Sequence, residues 1–149
     1  MRVSIVIPSW NGLVDLRACI ASIDRQTGVE VELMVVDNGS EDDSVAWLQE
    51  RGIKFVSLPR NLGFAVAVNL GVAHTEAPFV LVMNSDTVLE PDGLEHLVAA
   101  LDADPSLGGV QPRILQLVRG QAGDPDDPEA MVYSLGQALT ADGRAREDG

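Results

Sequence analysis

The chain has 149 residues, 46% apolar and 22% charged, which suits one folded domain with a real core and argues against disorder throughout. Its formal net charge of −13 argues against nucleic acid as a partner, because a polyanion repels a phosphate backbone. Cys19 is the single cysteine, so an intrachain disulfide and a cysteine-built metal site are excluded and a reducing cytosol is suited. The first element in chain order is the β-rich run Val3-Ser4-Ile5-Val6-Ile7, ended by Pro8. Leu13, Leu16, Ile20 and Ile23 then recur on one helical face. Residues 31–36 read as a second strand, closed by Asp37-Asn38-Gly39-Ser40. Ser40 and Asp43 resemble a capping box ahead of a short helix that carries Val45, Trp47 and Leu48 and ends near Gly52. Residues 53–58 are a third strand. Residues 63–74 are almost wholly apolar and predict a buried helix, in which Asn69 would need a hydrogen-bond partner. Residues 79–83 are a fourth strand, expected to be buried. Pro91 opens a helix with Leu94, Leu97, Val98 and Leu101 on one face. Beyond Asp104-Pro105 the pattern weakens to a strand within 109–117 and a Gly-, Pro- and Asp-rich loop over 120–129.

This β-α-β-α-β-α-β-α order predicts an α/β, Rossmann-like fold, with a mostly parallel central sheet and helices on both faces. In such sheets ligands bind at the carboxyl ends of the strands. Four sets of residues should therefore line one edge: Pro8-Ser9-Trp10-Asn11, Asp37-Asn38-Gly39, Pro59-Arg60-Asn61 and Asn84-Ser85-Asp86. No G-x-G-x-x-G follows the first strand, which argues against a dinucleotide-binding oxidoreductase. The Gly-rich, basic loop that a nucleotidyltransferase would want there is missing too.

Each of these residues has two readings on its own. Asp-Asn-Gly at 37–39 is either a turn before a helix or a carboxylate placed to accept from the imide N–H of uracil or thymine. Asp86 is either a solvated loop acid or a ligand for Mg²⁺ or Mn²⁺, hard cations that take oxygen donors and substrate phosphates. Asn84 would then be a weak ligand or would orient Asp86. Arg60 is either a surface charge or a contact to phosphate or base, for which a guanidinium is well shaped. His74 and His96 lie on different elements without ligand spacing. Cys19 reads as a small core residue. The acids Asp124, Asp126, Asp127 and Glu129 read as a solvated loop.

Four segments together resemble the family 2 glycosyltransferases, which have the GT-A fold. They are residues 3–12, residues 35–42 (Val35-Val36-Asp37-Asn38-Gly39-Ser40-Glu41-Asp42), Arg60-Asn61-Leu62-Gly63-Phe64-Ala65 with Asn69-Leu70-Gly71, and Met83-Asn84-Ser85-Asp86-Thr87. The resemblance covers about residues 1–115, and residues 136–146 more loosely. The Asn-x-Asp form at 84–86 with Asn61-Leu62-Gly63-Phe64 looks most like the rhamnosyltransferase branch, which builds bacterial cell-surface polysaccharide. It implies a nucleotide-sugar (donor) binding domain over 1–115 and the start of an acceptor-side region over 116–149. It implies that Pro8, Asn11, Asp37, Arg60 and Asn61 surround the nucleotide, with Asp37 on the base, and that Asp86, with Asn84, holds Mg²⁺ or Mn²⁺ against the diphosphate.

The partners so implied are a UDP- or dTDP-linked sugar and a glycan or lipid-linked acceptor. The reaction implied is inverting transfer of a sugar such as rhamnose. The family's general base lies on a later acidic motif that does not occur before Gly149, so the expectation is a truncated chain that lacks the base. The alternative is an isolated nucleotide-binding fragment without activity. No signal peptide is visible in the residues before Pro8, and no apolar run approaches the ~20 residues that span a bilayer. The expected location is therefore cytoplasmic, at the inner face of the membrane, with any membrane contact made within this chain peripheral and peripheral contact expected of the full-length protein.

Overall fold

The structure is a computed structural model that describes residues 1–115 and the strands Val132–Ser134, Gln137–Leu139 and Ala145–Glu147. The chain divides into two compact units, Met1–Val98 and Ala99–Gly149. The first holds β1 (Arg2–Ser9), α1 (Leu13–Ile23), β2 (Glu30–Asp37), α2 (Ser44–Glu50), β3 (Phe55–Ser57), α3 (Phe64–Val72), β4 (Phe79–Val82) and the start of α4 (Gly93–Ala103). In the second, β5 (Ile114–Leu115) pairs antiparallel with β6 (Val132–Ser134), and β7 (Gln137–Leu139) pairs antiparallel with β8 (Ala145–Glu147). The predicted loop 120–129 and its acids lie outside the described residues.

The four strands of the first unit are all parallel, in the order β3-β2-β1-β4. The chain steps outward from β1 to β3, then returns through α3 to place β4 on the other side of β1. The order thus reverses between β1 and β4, and crevices at such switch points are where open α/β sheets take ligands.

Side chains alternate between the two faces of a strand. One face of β1 carries Val3, Ile5 and Ile7, which pack with Leu16, Cys19, Ile20 and Ile23 of α1, Leu48 of α2, and Leu94 and Val98 of α4. Ser4 and Val6 point to the opposite face, where α3 lies. There Gly71 is needed for contact: a Cβ on it would meet Val6 Cγ1 at 2.3 Å and Val36 Cγ2 at 3.1 Å. Cys19 is fully buried, as a core residue should be, and burial, with the charge of Asp86 added, pushes its thiol up to about 12.

Two expectations fail on this second face. Helix α3 is not buried all round. Only Ala67 and Gly71, four residues apart, are buried, while Phe64, Val66 and Asn69 are exposed. Asn69 therefore meets solvent and needs no protein partner. Strand β4 is likewise covered on one face only: Phe79 and Leu81 are half-buried against the core, and Val80 and Val82 are 42% and 41% exposed. Apolar runs of this length look the same whether one face or both are covered. The capping box also fails. Asp43 is the N-cap residue of α2 but makes no side-chain cap bond, and Ser40 is engaged elsewhere, as described next.

Candidate functional site

The carboxyl ends of β1, β2 and β3 carry a polar row. Ser9, Asp37 and Ser57 are in register across the three strands and lie just beyond the apolar core. Asp37 is 1% exposed. Its Oδ2 accepts the Ser57 hydroxyl at 2.9 Å, and both carboxylate oxygens receive the Ser40 amide at 3.3 Å. The carboxylate proposed for a nucleobase thus already has internal partners. The Ser9 hydroxyl is buried and makes no hydrogen bond among the described residues. Pro8, half-buried, is the penultimate residue of β1.

The loops after β1 and β2 are clasped together. Asn11 sits at φ 50°, a left-handed conformation that asparagine tolerates better than most residues. Its backbone N–H donates to Ser40 Oγ at 2.9 Å, and its Oδ1 accepts the Glu41 amide at 2.7 Å. Asp42 completes the clasp. Its Oδ2 accepts from Leu13 N at 3.1 Å and its Oδ1 from Ser44 N at 3.1 Å. One carboxylate thus serves the N-termini of both α1 and α2, where free amides and helix dipoles favour negative charge. Partial burial raises the Asp42 carboxyl, but hydrogen bonds from Ser44 and from Leu13 outweigh it and hold the group below its ordinary value.

A second clasp joins the β2 loop to the β3–α3 loop. Gly39 has φ +79°, and a Cβ there would lie 2.5 Å from Arg60 Cα. Only glycine allows both that backbone and that approach. Asn38, 5% exposed, reaches across: its Nδ2 donates to Asn61 Oδ1 at 3.1 Å and to Gly63 O at 3.2 Å, and its Oδ1 accepts Leu62 N at 2.8 Å. Asn61 Oδ1 also accepts Gly63 N at 2.9 Å. Gly63 itself has open space around it but φ +91°, so its role is conformational.

On the far side of the switch point, Met83 N donates to Val6 O at 3.0 Å and so prolongs β4 alongside β1. A Cβ on Gly12 would lie 4.0 Å from Ser85 Oγ, which sets the loops after β1 and β4 side by side. The Asn84 carbonyl faces inward and accepts the Cys19 thiol at 3.7 Å. Asn84 and Asp86 are exposed. Among the described residues, the Asn84 side chain, the Asp86 carboxylate and the Arg60 guanidinium make no hydrogen bond or ion pair. Trp10, 55% exposed, stands after β1 between them in strand order.

The described residues hold no cluster of three or more acids, histidines or cysteines that could bind a metal. Asp86 and Asn84 fit the sparse kind of Mg²⁺ or Mn²⁺ site, in which one or two protein oxygens are completed by substrate phosphates and water. No helix among the described residues is long and apolar enough to cross a membrane. The sequence placed all four strand-end sets on one edge. It missed Asn38, Ser40, Asp42 and Ser57 as the residues that join them. Their partners lie 20–30 positions away, and a single sequence carries no sign of such pairings.

A parallel sheet of this order with a ligand edge at its switch point is common to doubly wound nucleotide-binding folds, and the solved structures that share it here are GT-A glycosyltransferases. S. aureus TarS 1-349 in complex with UDP aligns with a TM-score of 0.63 at 25% identity, over 69% of this chain and 32% of that one. The mannosyltransferase PcManGT from Pyrobaculum calidifontis, in complex with GDP-Man and Mn²⁺, aligns with a TM-score of 0.67 at 23% identity, over 71% and 33%. The chain belongs to glycosyl transferase family 2, whose family model matches residues 4–123. It is 31% identical over 104 residues to the succinoglycan biosynthesis protein ExoO of Rhizobium meliloti (strain 1021), which covers 68% of this chain and 30% of that protein. The chain spans about a third of the length of this and another curated relative.

Proposed function

We propose that residues 1–115 form the donor-binding domain of an inverting glycosyltransferase and that residues 116–149 begin its acceptor side. The donor is a UDP- or dTDP-linked sugar, rhamnose in the reading that the Asn-x-Asp form at 84–86 favours. The acceptor is a cell-surface polysaccharide or a lipid-linked glycan, met at the inner face of the membrane. The observation that carries this reading is the set of side-chain groups on the ligand edge with no partner among the described residues: an anion at Asp86 and an amide at Asn84 on one side of the switch point, and a cation at Arg60 on the other. ExoO, by its name, works in polysaccharide biosynthesis, and TarS binds UDP; both support the class of donor and product.

Each residue then has a task. Arg60 neutralises charge on the nucleotide, since a guanidinium suits both phosphate and base acceptors. The Asn61 amide donates beside it. Pro8 and Asn11 wall the nucleoside pocket, and Asn11 keeps the first two loops together while doing so. Asp37 stands beneath the base and acts with the Ser57 hydroxyl that it holds. Asp86 and Asn84 supply the protein oxygens for Mg²⁺ or Mn²⁺. When bound, such a cation stabilises the charge that develops on the leaving diphosphate. A carboxylate from the family's later acidic motif would take the acceptor hydroxyl proton.

Thermal unfolding with UDP, dTDP and GDP, each with Mn²⁺ or with EDTA, tests the reading. A ligand that binds only the folded state adds about 2.7 kcal/mol at one hundred times its dissociation constant. A metal-dependent rise with UDP or dTDP is the expected result. Equal melting with and without every nucleotide would remove the donor site from this chain.

A further inference from the structure

Asn61 is exposed, yet its side chain is not free to turn. The backbone amides of Leu62 and Gly63 can only donate, so the oxygens that face them are fixed as acceptors. Leu62 N points at Asn38 Oδ1 at 2.8 Å, which leaves Asn38 Nδ2 as the end that faces Asn61 at 3.1 Å. Gly63 N points at Asn61 Oδ1 at 2.9 Å, and Asn38 Nδ2 donates to that same oxygen. The Asn61 oxygen is thus held by two donors. Its Nδ2 is the end with no partner among the described residues. The guanidinium of Arg60, the preceding residue, carries only donors. The side-chain groups that this loop leaves unpaired among the described residues are therefore donors.

We propose that Asn38 is a positioning residue that locks Asn61 with its amide donor toward the ligand, so that Asn61 and Arg60 together recognise an acceptor oxygen of the nucleotide. Asn38 is suited to this because it is buried, its Nδ2 donates to two acceptors in residues 61–63, and its Oδ1 accepts there as well. Gly39 sets the distance, since it lets the Arg60 backbone approach where any Cβ would collide. The acceptor oxygen belongs either to the diphosphate or to a carbonyl of the base. The proposal rests on the donor-site reading above.

The test uses the whole 149-residue chain with Mn²⁺ and titrates UDP and uridine into wild type, Asn38→Ala, Asn61→Ala and the double variant. Amide hydrogen exchange at residues 61–64 is followed in parallel. Loss of one ligand hydrogen bond should weaken UDP by about 2- to 10-fold in each single variant. The double variant should bind no worse than Asn61→Ala alone, because Asn38 acts through Asn61. If uridine weakens by the same factor as UDP, the acceptor is on the base. If only UDP weakens, it is on the diphosphate. Additive losses in the double variant would overturn the proposal.

Hydrogen exchange separates this proposal from the donor-site reading. In Asn38→Ala, the Leu62 and Gly63 amides should exchange faster while those of β1 do not change. Unchanged protection there would overturn the positioning role even if UDP binds. Faster exchange in a chain that binds no nucleotide would fail the donor-site reading and keep the positional one. Should Asn38→Ala not fold, Asn38→Asp serves. It keeps the acceptor for Leu62 N and removes both donors, so Leu62 should stay protected while Gly63 exchange rises and UDP weakens.

Discussion

Glu32 at the amino edge of the parallel sheet and Asp86 at its carboxyl edge are carboxylates treated in opposite ways, while Asp37 at the carboxyl edge is engaged internally, as Glu32 is. At the amino edge Glu32 is saturated. It accepts the Ser4 hydroxyl at 2.8 Å, Lys54 Nζ at 3.1 Å and the Glu76 amide at 3.3 Å, with Arg2 at 3.5 Å. Ser4 Oγ in turn accepts the Ala77 amide at 3.2 Å, and Lys54 Nζ also donates to His74 O at 2.9 Å. The return from α3 to β4 is thus tied to β1, β2 and β3. At the carboxyl edge Asp86 has no such partner among the described residues, although neighbouring loops are densely bonded. A carboxylate that has spent its hydrogen-bond capacity on the fold stabilises the fold. One left open is available to a ligand.

Predictions that would break this contrast begin with the largest effect. Asp86→Ala should remove all metal-dependent nucleotide binding and shift unfolding by no more than about 0.5 kcal/mol, as surface changes usually do. Calorimetry and a urea melt check both halves. Ser4→Ala should do the reverse. It leaves the part-buried Ala77 amide without its acceptor, which costs about 1 kcal/mol, while UDP affinity should not change. Arg60→Ala should weaken UDP by about 10- to 100-fold, since a hydrogen bond from a charged group contributes about 1.5–3 kcal/mol, with the melting temperature unmoved. Asp42→Ala should cost about 1 kcal/mol of stability, the usual effect of losing an N-cap acceptor.

The smallest effect is one of pH. Hydrogen bonds from Ser4, then Lys54 and Glu76, lower the Glu32 carboxyl from 4.5 to about 2. A depressed carboxyl stabilises the fold above its unfolded value and loses that contribution on acidification. Stability should therefore decline between pH 4.5 and about 2 in wild type, and the part due to Glu32 should be missing in Glu32→Gln.

Much of this contrast could be read from the sequence before the structure, but not all of it. The alternation of strands and helices was legible because its periodicities of 2 and 3.6 are local. From it followed the sheet and the edge on which Asp37, Arg60 and Asp86 stand. Exposure of Val80, Val82, Phe64 and Val66 was not legible, because an apolar residue looks the same on a covered face and an open one. The internal engagement of Asp37 by Ser57, and of Asn61 by Asn38, depends on pairings across 20 and 23 residues. No pattern within one element carries that information. Ser40 shows the same limit. Its local spacing to Asp43 suggested a cap, yet its hydroxyl serves Asn11, 29 residues back.

The most direct test of the account is a calorimetric titration of UDP into the 149-residue chain, in Mn²⁺ and in EDTA, set beside the same titrations of Asp86→Ala. The account predicts that UDP binds wild type in Mn²⁺, binds it more weakly in EDTA, and binds Asp86→Ala equally weakly in both. Metal-dependent binding of the same strength in wild type and Asp86→Ala would contradict it.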